Sequence, residues 1–287
     1  MQVTLNNNSN IGFSGATRTF RRNYYSTVQE MVDVFEKYPK SDGIAGSLPH
    51  SWLKKLIPLP KDERGEKIKT LYRLFRESFG SDNNNLQQIS ERFTLTLRDL
   101  NIIPAENQII IKKRKLDGKM LRGAFTIKER GKSKTLEPLF VKQFIKSSRK
   151  HPPDDEGLLP ELALGLHLHR IFRDEHIIRP YFSDTKARFM VSKYEITPQN
   201  VKIPRPLTKS EMFTYGAVPY LQNLRKITGD NTNIQSILLK KGFYHKDLHD
   251  QNVLITKDKK ENLIVKLIDL GKIIKLKPIN LFTKKSF

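Results

Sequence analysis

Cysteine is absent from this chain of 287 residues, which excludes disulfides and metal sites built on thiolates. Apolar runs near the ~20 residues that a membrane-spanning helix needs are also missing. The stretch from Met1 to Ser14 is rich in Asn and Ser and lacks a positively charged and then apolar leader, so we expect no cleaved secretory signal. At 37% hydrophobic residues, the chain can bury a core. We therefore expect a soluble globular protein of one large domain or two small ones.

Acidic residues are scarce beside the basic ones: 30 Asp and Glu face 52 Lys and Arg, which gives a net charge of +22. Such a surface attracts polyanions, whether nucleic acid, acidic phospholipid, inositol polyphosphate or an acidic protein, although it can also serve solubility alone. The basic residues concentrate in 112–115, 142–150 and 257–285. No cluster alternates with aromatic residues and no zinc-finger or RNA-recognition signature is present, so we do not expect nucleic acid as the partner.

One polar stretch near the C-terminus has a spacing that suits phosphoryl transfer. Asp247 and Asn252 are five residues apart, and Asp269 follows seventeen residues later, directly after an apolar run. The pattern between them predicts two strands, 253–255 and 263–268, and this hairpin would return Asp269 to the level of Asn252. Phosphoryl transfer uses one carboxylate to orient a hydroxyl nucleophile, and an Asn and a second carboxylate to hold Mg²⁺ against the nucleotide phosphates. The alternative is an ordinary polar turn between two buried strands.

This stretch resembles the protein-kinase superfamily. The segment His245-Lys246-Asp247 is similar to the catalytic loop of that family, and Asp269-Leu270-Gly271 is similar to its metal-binding Asp-Phe-Gly. The resemblance implies that ATP and Mg²⁺ are the cofactors and that Asp247 is the catalytic residue that orients the acceptor hydroxyl. It also implies that Asn252 and Asp269 hold the metal and, through it, the nucleotide. We expect the histidine of the first motif to brace the loop rather than to take part in the chemistry.

The region before this stretch follows the order of a kinase N-terminal lobe. Its β-type runs and one helical run lie at 108–111, 123–127, 136–145, 160–172 (the helix), 177–181 and 188–193. The resemblance implies that Lys142, on the third strand, contacts the α- and β-phosphates, and that Glu161, near the start of the helix, holds its ammonium in place. Gly118 and Gly123 lie where the phosphate-covering loop of the family would be. The Gly-x-Gly-x-x-Gly pattern is absent, however, and a plain hairpin turn fits equally well.

The expected fold class is α+β, with a protein-kinase-like two-lobe architecture. We expect a five-stranded antiparallel sheet in the N-terminal lobe, a minimal helical C-terminal lobe, and an N-terminal helical extension whose apolar stripes pack on the next part of the chain. The expected boundaries are 1–25 for a mobile N-terminal segment, 26–102 for the helical extension, 103–196 for the N-terminal lobe and 197–287 for the C-terminal lobe.

The chain departs from regulated protein kinases after the second motif. Sixteen residues follow Gly271, so we expect no activation segment, and Lys246 replaces the Arg that grips a phosphorylated activation loop. In this respect the chain is similar to the small atypical kinases that bacteria secrete through type III and type IV systems. The resemblance implies a Ser/Thr-type protein kinase that is secreted, with 1–25 as a candidate signal, and acts on a host protein in the cytoplasm or at a membrane surface. A polyanion activator such as inositol hexakisphosphate is a further expectation, with Lys112-Lys113-Arg114 as candidate contacts.

Three other functions stay open. The motifs do not exclude a pseudokinase that acts as a polyanion-binding or membrane-binding adaptor. The segment Asp247-Leu248-His249 is also similar to aminoglycoside and choline phosphotransferases, which leaves a small-molecule or lipid kinase. A nucleotide bound in the flipped orientation would make the chain an AMP transferase.

Overall fold

The computed structural model describes residues 43–276 except for short gaps, which are 82–84, 116–120, 146–157, 173–175, 200, 203, 206–207, 209, 212–213, 215–217, 229–233, 247, 249–251, 259 and 271–272. The expected mobile segment at 1–25 and the start of the helical extension lie outside these residues. The described part contains six α-helices: α1 (His50–Leu56), α2 (Lys61–Phe79), α3 (Leu86–Asp99), α4 (Leu158–Phe172), α5 (Val218–Thr228) and α6 (Ile234–Lys240). None of these helices combines the length and the apolar character needed to cross a membrane.

The same part of the chain contains ten strands, so the fold class is α+β, as expected. They are β1 (Ile44–Gly46), β2 (Gln108–Arg114), β3 (Leu121–Arg130), β4 (Leu139–Phe144), β5 (Pro180–Asp184), β6 (Phe189–Lys193), β7 (Phe243–His245), β8 (Val253–Lys257), β9 (Leu263–Leu267) and β10 (Ile273–Lys275). The first six form one antiparallel sheet in the order β1-β5-β6-β4-β3-β2. The other four form two antiparallel pairs, β7 with β10 and β8 with β9.

The expectation of a five-stranded sheet was wrong, because a sixth strand joins its edge. Strand β1 has 3 residues and pairs with β5, with Ala45 opposite Ser183. So short a strand shows no alternation of apolar and polar residues, and the glycines at its two ends, Gly43 and Gly46, are typical of a break. Gly46 has a φ of +96°, and a Cβ there would lie 2.2 Å from the carbonyl oxygen of Tyr181. Only glycine therefore fits at the end of this strand.

Helices α1, α2 and α3 pack on one face of the six-stranded sheet and form the first hydrophobic core with it. The apolar stripes of these helices meet the inward-facing side chains of the strands. Phe75 of α2 lies 5.1 Å from Phe93 of α3 and 5.2 Å from Phe182 of β5, measured between ring centroids, and both pairs are edge to face. The helical residues and the sheet therefore share one core.

The strand register places Lys142 on the opposite face of this sheet. Its neighbours across the strands are Ala124 of β3 and Met190 of β6. Val141 and Phe125, each one residue along its strand, belong to the first core. Because successive side chains of a strand point to opposite faces, Lys142 faces away from α1, α2 and α3.

A second hydrophobic core joins α4 to the C-terminal elements. Leu164 of α4 is buried there with Phe243 of β7 and Leu267 of β9. A parallel bridge between Ile177 and Leu267 connects the residues before β5 to this second core. The strand expected at 177–181 is therefore displaced along the chain, because the first of these residues pair with β9 and β5 begins three residues later.

Candidate active site

Strand β4 and helix α4 bring Lys142 and Glu161 together. The Lys142 Nζ lies 2.5 Å from Glu161 Oε1, and the two side chains are 10% and 6% exposed. Glu161 stands in the first turn of α4, where the positive end of the helix dipole favours a carboxylate. The structure thus pairs the two charged residues that the sequence pattern singled out in this part of the chain.

Asp269 is the third charged group of the site, and its charge acts on both partners of this pair. Burial lowers the pKa of Lys142, but the charges of Glu161 and Asp269 outweigh burial, so the pKa of Lys142 is raised. Burial raises the pKa of Glu161, and repulsion from Asp269 raises it further. The attraction of Lys142 lowers it by less, so the pKa of Glu161 is raised overall. Two carboxylates and one ammonium therefore interact electrostatically here, and the excess negative charge suits a divalent cation.

The β8–β9 hairpin places Asn252 beside the segment that carries Asp269. The Ile268 N–H donates to the Asn252 carbonyl oxygen at 3.1 Å, and Val253 lies opposite Leu267 in the ladder. Asn252 is buried, whereas Asp269 is partly exposed. The hairpin predicted from the sequence is confirmed, and it brings together two residues that are far apart along the chain.

The oxygen donors of Asn252 and Asp269 fit Mg²⁺ better than a softer metal. Amide and carboxylate oxygens are hard ligands, and Mg²⁺ is commonly held by one or two carboxylates together with substrate phosphates and water. Within the described ranges, no group of three or more His, Cys, Asp or Glu side chains could hold a metal ion. A metal bound by Asn252 and Asp269 would therefore need phosphate ligands to complete its coordination.

Two contacts fix the backbone around Asp269. The ring of His245, which is buried in β7, lies with Nε2 2.9 Å from the Asp269 carbonyl oxygen, and Nε2 is the donor because a carbonyl can only accept. The Leu270 side chain packs on α4 at Gly165, where a Cβ would lie 3.1 Å from Leu270 Cδ1. Gly165 is one helical turn after Glu161. The histidine therefore braces the second motif, and the helix that carries Glu161 supports the residue next to Asp269.

Asp247 and Gly118 lie outside the described residues, so their roles stay predictions. Gly123 lies within β3, next to a shift in the register with β4. A Cβ at Gly123 would lie 2.9 Å from Gln143 Oε1 and 3.1 Å from the ring of Phe125. Close packing against these two side chains is a sufficient reason for a glycine at this position.

The sequence reasoning missed a second ion-pair network near the site. Glu195, which follows β6, accepts hydrogen bonds at 2.8 Å from Lys193 and from Lys266 through the same oxygen. Burial raises the pKa of Glu195, but the hydrogen bonds from the two lysines outweigh burial and the pKa is lowered. The Lys266 side chain is 4% exposed and stands three residues before Asp269. The available signal was a lysine inside the apolar run 263–268, where a buried strand seldom has a charge.

No protein-family model matches the chain, and no curated protein sequence matches it significantly. The ammonium of Lys142 on β4 is paired with the carboxylate of Glu161 on α4, the charge of Asp269 acts on both, and the backbone of Asn252 is hydrogen-bonded to the residue before Asp269.

Proposed function

We propose that this chain is an ATP- and Mg²⁺-dependent phosphotransferase with a protein-kinase-like two-lobe architecture. The observation that carries the proposal is the buried pair of Lys142 and Glu161, coupled to the charge of Asp269. Burial of an ion pair costs several kcal/mol per ion, and a well-packed apolar pair is often at least as stable. Charged groups that persist against this cost are typical of a functional site, and a Mg²⁺-nucleotide complements the groups found here.

Each group has one role in the proposed transfer. Lys142, oriented by Glu161, neutralises the α- and β-phosphates as a compact point charge. Asn252 and Asp269 hold Mg²⁺, which supplies charge neutralisation on the triphosphate when it is bound. Asp247 orients the acceptor hydroxyl and takes up its proton on a carboxylate oxygen.

The two hydrophobic cores support the two-lobe part of the proposal. Residues of the first core lie between Ile44 and Val191, and those of the second lie between Leu164 and Ile273. Helix α4 contributes to the second core and also contacts the sheet at β5 and β6. The residues after β6, beginning with Tyr194, then correspond to the hinge between the lobes.

We also propose a Ser or Thr hydroxyl of a protein as the acceptor, and a role as a bacterial effector in host cytoplasm or at a membrane surface. The net charge of +22 supports this finer proposal, because it favours an acidic partner surface or an inositol polyphosphate activator. A pseudokinase adaptor, a small-molecule or lipid kinase and an AMP transferase are the competing outcomes of the experiment.

The experiment is transfer of label from ATP with Mg²⁺ and host lysate, run in parallel with γ-³²P and α-³²P label. Wild type should transfer the γ label only, and Asp247→Ala should lose about 10²–10⁴-fold in rate while it still binds nucleotide. Lys142→Met should lose transfer as well. The matched control is Lys113→Met, because Lys113 is an exposed lysine that faces away from Lys142.

A thermal-shift measurement separates the alternatives. Stabilisation by Mg²⁺-ATP without transfer would indicate a pseudokinase, and absence of stabilisation would remove nucleotide binding from the proposal. Transfer of the α label would indicate AMP transfer. Label on a lipid or a small molecule instead of a protein would show that the acceptor is not a protein. Labelling by Asp247→Ala at the wild-type rate would contradict the proposed catalytic role of Asp247.

A further inference from the structure

Two cations of the sheet meet at the ring of Tyr194, just after β6. Arg114 of β2 donates a hydrogen bond to the Tyr194 hydroxyl at 2.7 Å, and its Cζ lies 5.5 Å from the ring centroid. The Nζ of Lys128 on β3 lies 4.7 Å from the same centroid. Burial lowers the pKa of Lys128, and the charges of Arg114, Lys112 and Lys134 lower it further. We refer to Lys112, Arg114, Lys128 and Lys134 as the outer basic cluster.

The strand register places this cluster beside Lys142 but apart from it. Arg114 lies opposite Ala124, and Ala124 lies opposite Lys142, so the three residues form one row across the same face of the sheet. At about 4.8 Å per strand, the backbone of Arg114 is roughly 10 Å from that of Lys142. Lys113 is on the opposite face, with its neighbour Phe125 in the first core.

Among the described residues, no carboxylate is paired with any of the four members of the outer basic cluster. Lys142, by contrast, has Glu161 as its partner. Like charges held close together repel one another, and here the cation–π contacts and the tyrosine hydroxyl hold two of them in place. An arrangement of this kind is complementary to an anion of high charge density.

We propose that the outer basic cluster is a phosphate-binding site, separate from the site at Lys142, for a phosphorylated small molecule or a phosphorylated lipid headgroup. A carboxylate brings one negative charge, whereas a phosphate monoester brings about −1.5 to −2 at pH 7 and three strong acceptor oxygens. The planar fork of Arg114 and the ammoniums of Lys112 and Lys128 match these oxygens better than they match a single carboxylate.

Calorimetric titration with tripolyphosphate, in the absence of nucleotide and Mg²⁺, tests the site. Arg114→Gln combined with Lys128→Gln should weaken binding by at least about tenfold, because each charge-assisted contact is worth roughly that factor. Lys142→Met removes the other candidate phosphate contact, and it should weaken tripolyphosphate binding less than the double variant does. Lys113→Gln removes one charge from the same strand on the other face, and it measures how much the loss of a single charge outside the cluster weakens binding.

A second titration with Mg²⁺-ATP already bound distinguishes the two sites. Tripolyphosphate should still bind if the cluster is a separate site, and complete displacement by Mg²⁺-ATP would overturn the proposal. Vesicles of phosphatidylcholine with and without phosphatidic acid identify the source: binding that depends on phosphatidic acid and on Arg114 indicates a headgroup, and binding of soluble tripolyphosphate alone indicates a small molecule. Equal binding of both probes by wild type and the double variant would refute the site. These readouts do not require transfer activity.

Discussion

Lys142 is paired with Glu161 and is also stabilised by the charge of Asp269, so Lys142→Met should destabilise the fold more than Glu161→Gln does. Truncation of one member of a buried ion pair costs about 3–5 kcal/mol, because the other charge is left buried and unpaired. Lys142→Met leaves Glu161 unpaired and facing the charge of Asp269, so we expect the upper part of this range. Glu161→Gln leaves Lys142 with Asp269 as a counter-charge, so we expect about 1–3 kcal/mol.

The loss caused by Lys142→Met should shrink as the pH falls. The pKa of Glu161 is raised above its ordinary value of 4.5 by burial and by Asp269, and the variant removes the attraction of Lys142 that opposes this. A carboxyl group whose pKa is higher in the folded than in the unfolded state destabilises the fold as the pH rises between the two values. Acidification through this interval, toward the ordinary value, therefore restores part of the stability.

Urea unfolding followed by tryptophan fluorescence measures these free energies. The chain contains 1 Trp, and Trp52 is buried in the first core, 5.7 Å from the ring of Phe75. Lys113→Met should stay within about 0.5 kcal/mol of wild type and serves as the control. A loss of unfolding free energy for Lys142→Met no larger than that for Glu161→Gln at neutral pH, or a loss that grows on acidification, would contradict the proposed electrostatics of this pair.

Three further predictions use the same unfolding and thermal-shift measurements. Lys266→Met should lower the free energy of unfolding by about 3 kcal/mol, since it leaves the buried Glu195 paired only with the more exposed Lys193. A loss under about 1 kcal/mol would contradict this account. Asp269→Asn should keep the fold and lose the thermal stabilisation that Mg²⁺-ATP gives to wild type, whereas any stabilisation by ATP in EDTA should remain. Stabilisation of the variant by Mg²⁺-ATP to the wild-type extent would place the metal elsewhere. Gly46→Ala should cost more than Gly242→Ala, because both have positive φ but only Gly46 has a carbonyl oxygen, at 2.2 Å, where the Cβ would lie.

Local patterns were enough to predict most of the elements that carry the site. The apolar runs on each side of a polar turn predicted the β8–β9 hairpin, and with it the approach of Asn252 to Asp269. Alternation around Lys142 predicted its strand, and the helical run after Pro160 predicted a helix with Glu161 in its first turn. Each of these features depends on one strand, one helix or one hairpin of adjacent strands, and periodicity is informative over such short segments.

The features that the sequence did not predict depend on contacts between distant residues. Strand β1 is defined by its pairing with β5 and not by a pattern of its own. Glu195 and Lys266 are 71 positions apart, and nothing near either residue indicates the other. Grouping Lys113 with Arg114 as joint anion contacts overlooked the alternation of a strand, because neighbouring residues of β2 point to opposite faces. The pairing of strands decided which of these cations stand together.

The helical extension expected at 26–102 should be inseparable from the sheet. A chain that begins at residue 103 would expose the face of the sheet that α1, α2 and α3 cover, including four large side chains that are at most 2% exposed: Phe125, Val141, Phe182 and Phe189. Exposing one such side chain to water lowers the free energy of unfolding by about 1.5–3 kcal/mol, so exposing all four lowers it by about 6–12 kcal/mol.

That loss matches the whole stability of an ordinary domain, about 5–15 kcal/mol. Two further contacts would be lost from the sheet: Gln143 Nε2 donates to the Phe79 carbonyl oxygen at 2.6 Å, and the Arg76 Nε lies 2.5 Å from the buried carboxylate of Asp184. Because Gln143 is the neighbour of Lys142, the helices support the strand of the candidate site from behind. We therefore expect the truncated chain to aggregate or to lack a cooperative unfolding transition. A soluble monomer of 103–287 with cooperative unfolding would show that the helices are an accessory layer.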